Sequence, residues 1–153
     1  MATTAQRVFN CPRINIIRPG GLHHMWPCYR QMLERACEYS LLDNDNVEEY
    51  RKDCISGSKL LVEIGNDSAS MGVAILEVIE TKEGDALHVV ALAGEDMGVW
   101  LDDFIDFLRH TSKRLECHAG VTLSGRVGWV RELRRYGFEH LYTIMRMKTW
   151  VSD

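Results

Sequence analysis

The residues best placed to do chemistry cluster where a strand passes into a helix. Leu87-His88-Val89-Val90-Ala91-Leu92-Ala93 is an apolar run with β-branched members, and it predicts a buried strand. Gly94-Glu95-Asp96-Met97-Gly98 breaks the run, with two glycines that favour a turn. A helical pattern follows, so the first backbone N–H groups of that helix lack intrahelical partners and converge on one point. Together with the helix dipole, such a point can hold an anion. The same five residues also make an ordinary strand–helix connection, in which Asp96 is a helix N-cap and occupies those donors itself. His88, a histidine in an apolar strand, is either a core ring with satisfied nitrogens or a proton acceptor.

The elements that must hold this turn follow from periodicity. Leu101, Phe104, Ile105, Leu108 and Leu115 recur at helical steps and stack on one face. Asp102, Asp103 and Asp106 precede Arg109, Lys113 and Arg114, an order that suits the dipole. Upstream, Arg13–Arg18 predicts a first strand, Met25–Ser40 a helix, and Asn46 the cap of a second helix ending at Ser56-Gly57. Lys59–Ile64 and Ser70–Glu80 predict two strands that lead by short turns into the strand at Ala86, so these neighbours should be antiparallel. Ala119–Ser124 predicts a strand reached by a helical crossover, hence parallel to the Leu87 strand. Val127–Tyr136 predicts a helix closed by Gly137, and His140–Lys148 a last strand.

At 153 residues the chain is expected to form a single domain over 1–153, with 1–12 loosely ordered. A net charge of -4 disfavours general nucleic-acid binding. Five cysteines without a C-x-x-C pair argue against a disulfide framework and for a reducing cytoplasm. No apolar run is long enough to span a bilayer. His23-His24, and Cys117-His118 with His110, match no zinc spacing, so no metal is expected. Arg126, Arg131, Arg134 and Arg135 form a basic cluster, read either as a solvated face or as contacts to a phosphate or an acidic partner. Trp100 and Trp129 suit core or interface positions.

The order of elements, together with Gly128-Trp129-Val130-Arg131-Glu132-Leu133-Arg134-Arg135-Tyr136-Gly137-Phe138, resembles the GCN5-related N-acetyltransferase (GNAT) family over about Ile14–Lys148. The resemblance implies an α+β, three-layer fold. Its mixed sheet is mostly antiparallel with one central parallel pair, and helices cover both faces. It implies acetyl-CoA in a gap where the parallel strands part, placed at Ala93, with the pyrophosphate on the start of the long helix. The implied cofactor contacts are Val90, Ala91, Leu92, Ala93, Gly94, Met97, Gly98, Val99, Ser124 and Arg126. The family's signature there is Arg/Gln-x-x-Gly-x-Gly/Ala. Gly98 matches its last position, while Ala93 replaces the Arg/Gln and Asp96 the first Gly.

Acetyl transfer needs a base for the amine and an acid for the departing thiolate. Glu63, Glu77 and His88, all on predicted strands, are the base candidates. The family often places its acid, a tyrosine, five residues before the Phe of the last helix, where this chain has Leu133. Tyr136 is the nearby candidate. The resemblance implies transfer of an acetyl group to a small-molecule or protein amine. The alternative is a GNAT-fold binding or structural protein that has lost the chemistry, of a phage type that is virion-associated or acts in host takeover. An oligomer or a protein partner fits either reading.

Overall fold

Asn46 shows how local chemistry sets an element's bounds. Its side chain accepts from the Glu49 amide at 2.9 Å, and Gly57 closes the same helix in the left-handed region at φ 86°. In the computed structural model, which describes residues 13–38, 46–65, 69–125 and 127–150, this helix is α2, Val47–Ser56. It follows β1 (Arg13–Ile17), a 3-10 turn at Pro19–Gly21 and α1 (Leu22–Cys37). Next come β2 (Leu60–Gly65), β3 (Ser70–Thr81), β4 (Gly84–Gly94), α3 (Met97–Arg114), β5 (Gly120–Leu123) and α4 (Val127–Arg134). The expected looseness of residues 1–12 lies outside the described residues.

The strands lie in chain order, β1-β2-β3-β4-β5. Every pairing is antiparallel except β4 with β5, which is parallel as the helical crossover requires. Each face of the sheet carries a separate apolar cluster. Leu22, Trp26, Tyr29 and Leu33 of α1, with Val47 and Tyr50 of α2, pack on Leu61, Val73, Ile75 and Ala91. Trp100, Leu101, Phe104, Ile105 and Leu108 of α3, with Leu133 of α4, pack on Val62, Ile64, Ala74, Leu76, Leu87 and Val89. Each such side chain contributes about 1.5–3 kcal/mol by leaving water, so α3 is held by its buried stripe rather than by its ends. The result is the expected three-layer α+β architecture.

Three expectations need correction. Leu115 is exposed, because α3 ends at Arg114 and Leu115 is its C-cap. No acid lies in the first turn of α3; Asp102, Asp103 and Asp106 come later, where the dipole is weak. His140–Lys148 forms no strand, and residues 139–150 are exposed throughout. Strand propensity is realised only against a neighbouring edge, and this segment does not lie on one.

Candidate functional site

β4 is the element that shapes the site. Its register with β3 pairs Leu76 with Val89 and Ile75 with Ala91, which leaves Val90 as a bulge. Its pairing with β5 ends at Val89↔Leu123, while β4 itself runs on to Gly94. The parallel strands therefore part at Val90, three residues before the position expected from the sequence. From Val90 to Ala93 the β5 side of β4 has no strand partner among the described residues. Val90 and Ala93 lean on the α1/α2 cluster, and Leu92 packs with Met97 in the α3/α4 cluster.

The turn into α3 is held tightly. A Cβ on Gly94 would stand 2.5 Å from the Met71 carbonyl oxygen and 2.7 Å from Gly72 Cα, so only glycine fits there. Glu95 donates its amide to the Met71 carbonyl at 2.9 Å, and the Trp100 indole donates to the Glu95 carbonyl at 2.7 Å. Asp96 is left-handed, at φ 54° and ψ 44°, and occupies the N-cap position. Asp is among the few residues besides glycine that tolerate this conformation, which explains how it can stand where the resembling motif has glycine.

The Asp96 side chain makes no capping bond, and Glu95 turns toward Arg35 at 3.6 Å. Neither carboxylate caps the helix start, contrary to the reading of Asp96 as a plain N-cap. The Val99 amide, counted among the expected contacts, is engaged by the Asp96 carbonyl at 2.8 Å, which leaves Met97 and Gly98 as the donors. A Cβ at Gly98 would meet nothing within 4 Å. Beside this helix start is a pocket of about 260 Å³ lined by Met97, Gly128, Trp129 and Glu132. A larger hollow of about 540 Å³ is lined by α4 residues alone and shares Gly128 and Glu132 with the first.

The titratable candidates are separated by their partners. Glu63 accepts from the Tyr29 hydroxyl and from Ser70 Oγ, the latter at 3.0 Å. Burial first, then this carboxylate, pushes the Tyr29 hydroxyl well above its ordinary range. Glu77 lies 3.5 Å from the Lys59 ammonium, which also donates to Asp53 at 2.6 Å. Burial opposes the charge on Lys59, but the two carboxylates outweigh it and its pKa rises. His88 pairs with Thr122 across the parallel strands, with Nδ1 2.7 Å from Thr122 Oγ1 and Nε2 3.3 Å from Ser124 Oγ. Glu77 and His88 are cross-strand partners, so they share the sheet face covered by α1 and α2. On that face Trp26 Nε1 is buried without a partner among the described residues.

Tyr136 belongs to the opposite side. Its hydroxyl donates to Asp102 of α3 and accepts from Arg135 Nη2 at 2.8 Å. Burial, then the Asp102 bond, raises its pKa. Leu133, at the place of the family's tyrosine, is a core residue. Arg126 lies outside the described residues; Arg131 and Arg134 line the larger hollow. No group of three metal-ligating side chains occurs among the described residues. The partners Thr122, Tyr29 and Lys59 were missed in the sequence. Thr122 reaches His88 through the parallel register, and Tyr29 and Lys59 reach their carboxylates through packing between elements distant in the chain.

The architecture matches that of known acetyltransferases. A predicted acetyltransferase with acetyl-CoA from Clostridium acetobutylicum superposes with a TM-score of 0.64 at 11% identity, over 90% of this chain and 96% of that one. Glucosamine-6-phosphate N-acetyltransferase from Arabidopsis thaliana gives 0.59 at 14% identity, over 90% and 98%. A GNAT family acetyltransferase from Staphylococcus aureus gives 0.61 at 12%, over 90% and 98%. At these identities the likeness is one of fold, and the chain has the GNAT fold. No protein-family model and no curated protein matches the sequence.

Proposed function

We propose that this GNAT-fold protein is an acetyl-CoA-dependent N-acetyltransferase acting on an amine. The observation that carries the reading is the parting of β4 from β5 at a bulge, directly before a helix start whose amides Asp96 does not cap. Those features suit the cofactor chemically. Unpaired backbone groups along Val90–Ala93 can bind an amide-bearing arm, and the Met97 and Gly98 amides can hold a pyrophosphate. Acetyl-CoA bound there would supply the acetyl group as a thioester.

The chain's own residues have distinct roles in this reading. His88 takes the amine's proton, because an imidazole is intrinsically a stronger base than the carboxylates of Glu63 and Glu77, and Glu77 is in addition held by a cation. Backbone N–H groups at the Val90–Ala91 bulge polarise the carbonyl oxygen. Gly94 and Trp100 fix the turn. Tyr136 has a packing role, since its hydroxyl is committed to Asp102 and Arg135, so the thiolate released as the acetyl–sulfur bond breaks would take its proton from water. The amine approaches from the α1/α2 face, where His88 lies. Cys28, Cys54 and Cys117 are free thiols, which suits a cytoplasmic setting. No helix among the described residues is long and apolar enough to cross a membrane.

A second reading is favoured by a specific observation: Leu133 is buried core where the family keeps its acid, and Ala93 cannot supply the motif's polar side chain. On it, the chain keeps the fold as a binding module without chemistry. Calorimetry with acetyl-CoA separates the two. The enzyme reading expects saturable heat and a raised melting temperature, by mass action on the folded state. No heat and no thermal shift at millimolar ligand sinks it. Gly98→Glu, at a position with open space around it, should abolish binding while the melting temperature of the apo protein stays put.

A further inference from the structure

Ser124 is the first residue past the last rung between β4 and β5, so it stands where the two strands part. It is exposed, and its Oγ lies 3.3 Å from His88 Nε2. The other nitrogen of the same ring, Nδ1, lies 2.7 Å from Thr122 Oγ1. A hydroxyl, a base within reach of it and a third group that orients the base are the parts of an activated nucleophile, and such pairs tighten as the reacting carbon arrives. The backbone just after Ser124 is confined. A Cβ on Gly125 would stand 2.8 Å from Trp129 Cδ1 and 3.1 Å from Leu123 Cδ2. Ser70 and Tyr29, in contrast, give their protons to Glu63, and Ser112 gives its own to the Arg109 carbonyl.

We propose that Ser124 is a nucleophile for activated acyl groups, with His88 as its base and Thr122 holding the ring. This deepens the acetyl-transfer reading and rests on it for the identity of the donor. In the first step the Ser124 oxygen attacks the thioester carbon while His88 Nε2 takes the hydroxyl proton. The oxygen–carbon bond forms, the carbon–sulfur bond breaks, and the imidazolium gives that proton to the thiolate. An imidazolium, with an ordinary pKa of about 6.5, is a stronger acid than a thiol at about 8.5, so this last transfer runs downhill. Direct transfer leaves the thiolate to water, because Leu133 is buried core and the Tyr136 hydroxyl is committed. The covalent route supplies the proton from the site itself. In the second step an amine, or water in its absence, attacks the acetyl-serine carbon and gives a proton to His88. Ser124 takes that proton back as its bond to the carbon breaks. The products are the acetylated amine, or acetate, and the free hydroxyl.

The test treats the full chain with p-nitrophenyl acetate and, separately, with acetyl-CoA without amine, quenches in acid during turnover and locates the label by tandem mass spectrometry. The expected result is an acetyl group on Ser124, within tryptic peptide 115–126. Alkaline hydroxylamine should remove it, as it removes esters and not acetyl-lysine. Ser124→Ala changes an exposed side chain, so it should keep the parent's melting temperature. It should carry no label at position 124 and release p-nitrophenolate about tenfold more slowly or worse. His88→Gln should slow the labelling of Ser124 by about 10²- to 10⁴-fold. Ser124→Cys should be labelled at the same position as a thioester, which neutral hydroxylamine cleaves. Label confined to other residues of the parent protein overturns the proposal, as does release by Ser124→Ala at the parent's rate. An unlabelled Ser124 in a protein that binds acetyl-CoA by calorimetry sinks the covalent route and leaves direct transfer standing. p-Nitrophenyl acetate needs no CoA site. Ser124 labelled by it in a protein that does not bind acetyl-CoA supports the nucleophile and removes only the cofactor reading.

Discussion

His88 Nδ1 lies 2.7 Å from Thr122 Oγ1, across the next-to-last rung that joins β4 to β5. With Nδ1 protonated and donating to that hydroxyl, Nε2 is the accepting nitrogen of the ring, and it lies 3.3 Å from Ser124 Oγ. Sequence alone aligns neither residue with the other; the parallel register does.

The first prediction follows from this pair. His88→Gln should lower kcat for amine acetylation by about 10²- to 10⁴-fold and leave acetyl-CoA affinity unchanged. Thr122→Val removes one hydrogen bond to the ring, so a loss of roughly fivefold to tenfold in kcat is expected. Steady-state rates, with calorimetric affinity as the control, check both. A His88→Gln enzyme with wild-type kcat would assign the proton transfer to another group.

Gly94 supports a prediction about stability. A methyl group there must push against backbone, the Met71 oxygen at 2.5 Å and Gly72 Cα at 2.7 Å, and against the Trp100 ring at 3.2 Å. Backbone cannot give way as a flexible side chain can. Gly94→Ala should therefore destabilise by about 1–3 kcal/mol, the usual range for overpacking. Gly98→Ala, one turn away with open space around it, should cost far less. Urea unfolding of the two variants side by side tests the contrast.

Asp96 supports a prediction with two readouts. It holds a left-handed backbone, φ 54°, at the start of α3. Asp96→Gly relaxes that conformation, so stability should hold or rise by about 1 kcal/mol. The same change removes a carboxylate from the edge of the amides proposed to hold a pyrophosphate. At about 5 Å and an effective dielectric of 20 the repulsion is roughly 3 kcal/mol, and solvent exposure of Asp96 reduces it. Acetyl-CoA affinity should rise about tenfold at low salt, and the gain should shrink as salt is added. Weaker binding by the glycine variant would mean that Asp96 contributes to the site.

What the sequence disclosed depended on how local the cause was. Asn46 with Glu49, and Gly57 at the end of the same helix, are neighbours in the chain, and their capping was legible from residue type alone. The crossover through α3 fixed β4 and β5 as parallel. The bulge at Val90 was not legible, because it arises from how β3 and β4 count residues against each other. Nor was the fate of Asp96, whose side chain type favours capping but whose left-handed backbone turns it away. The strand pattern of His140–Lys148 is real as a pattern, yet pairing needs an edge, and a single sequence does not say whose.

The final prediction concerns alkaline pH. Burial, with help from Asp53 and opposition from Lys59, pushes the Cys54 thiol up to about 11, from an ordinary value near 9. Burial and then the Glu63 carboxylate push the Tyr29 hydroxyl upward from an ordinary value near 10. Both groups hold their proton more tightly folded than unfolded. Their contribution is complete below the unfolded values and is lost as pH climbs through the window above them, because the unfolded chain then releases protons that the native one keeps. Stability should begin to fall near pH 9 and fall more steeply above pH 10, each group adding about 1.4 kcal/mol per pH unit at most. Tyr29→Phe removes one of the two sources, so its stability curve should be flatter above pH 10 even though it starts lower from the lost Glu63 bond. Denaturant midpoints of wild type and variant from pH 8 to 11 measure this. Parallel curves across that range would show that Tyr29 does not carry the upper part of the alkaline loss.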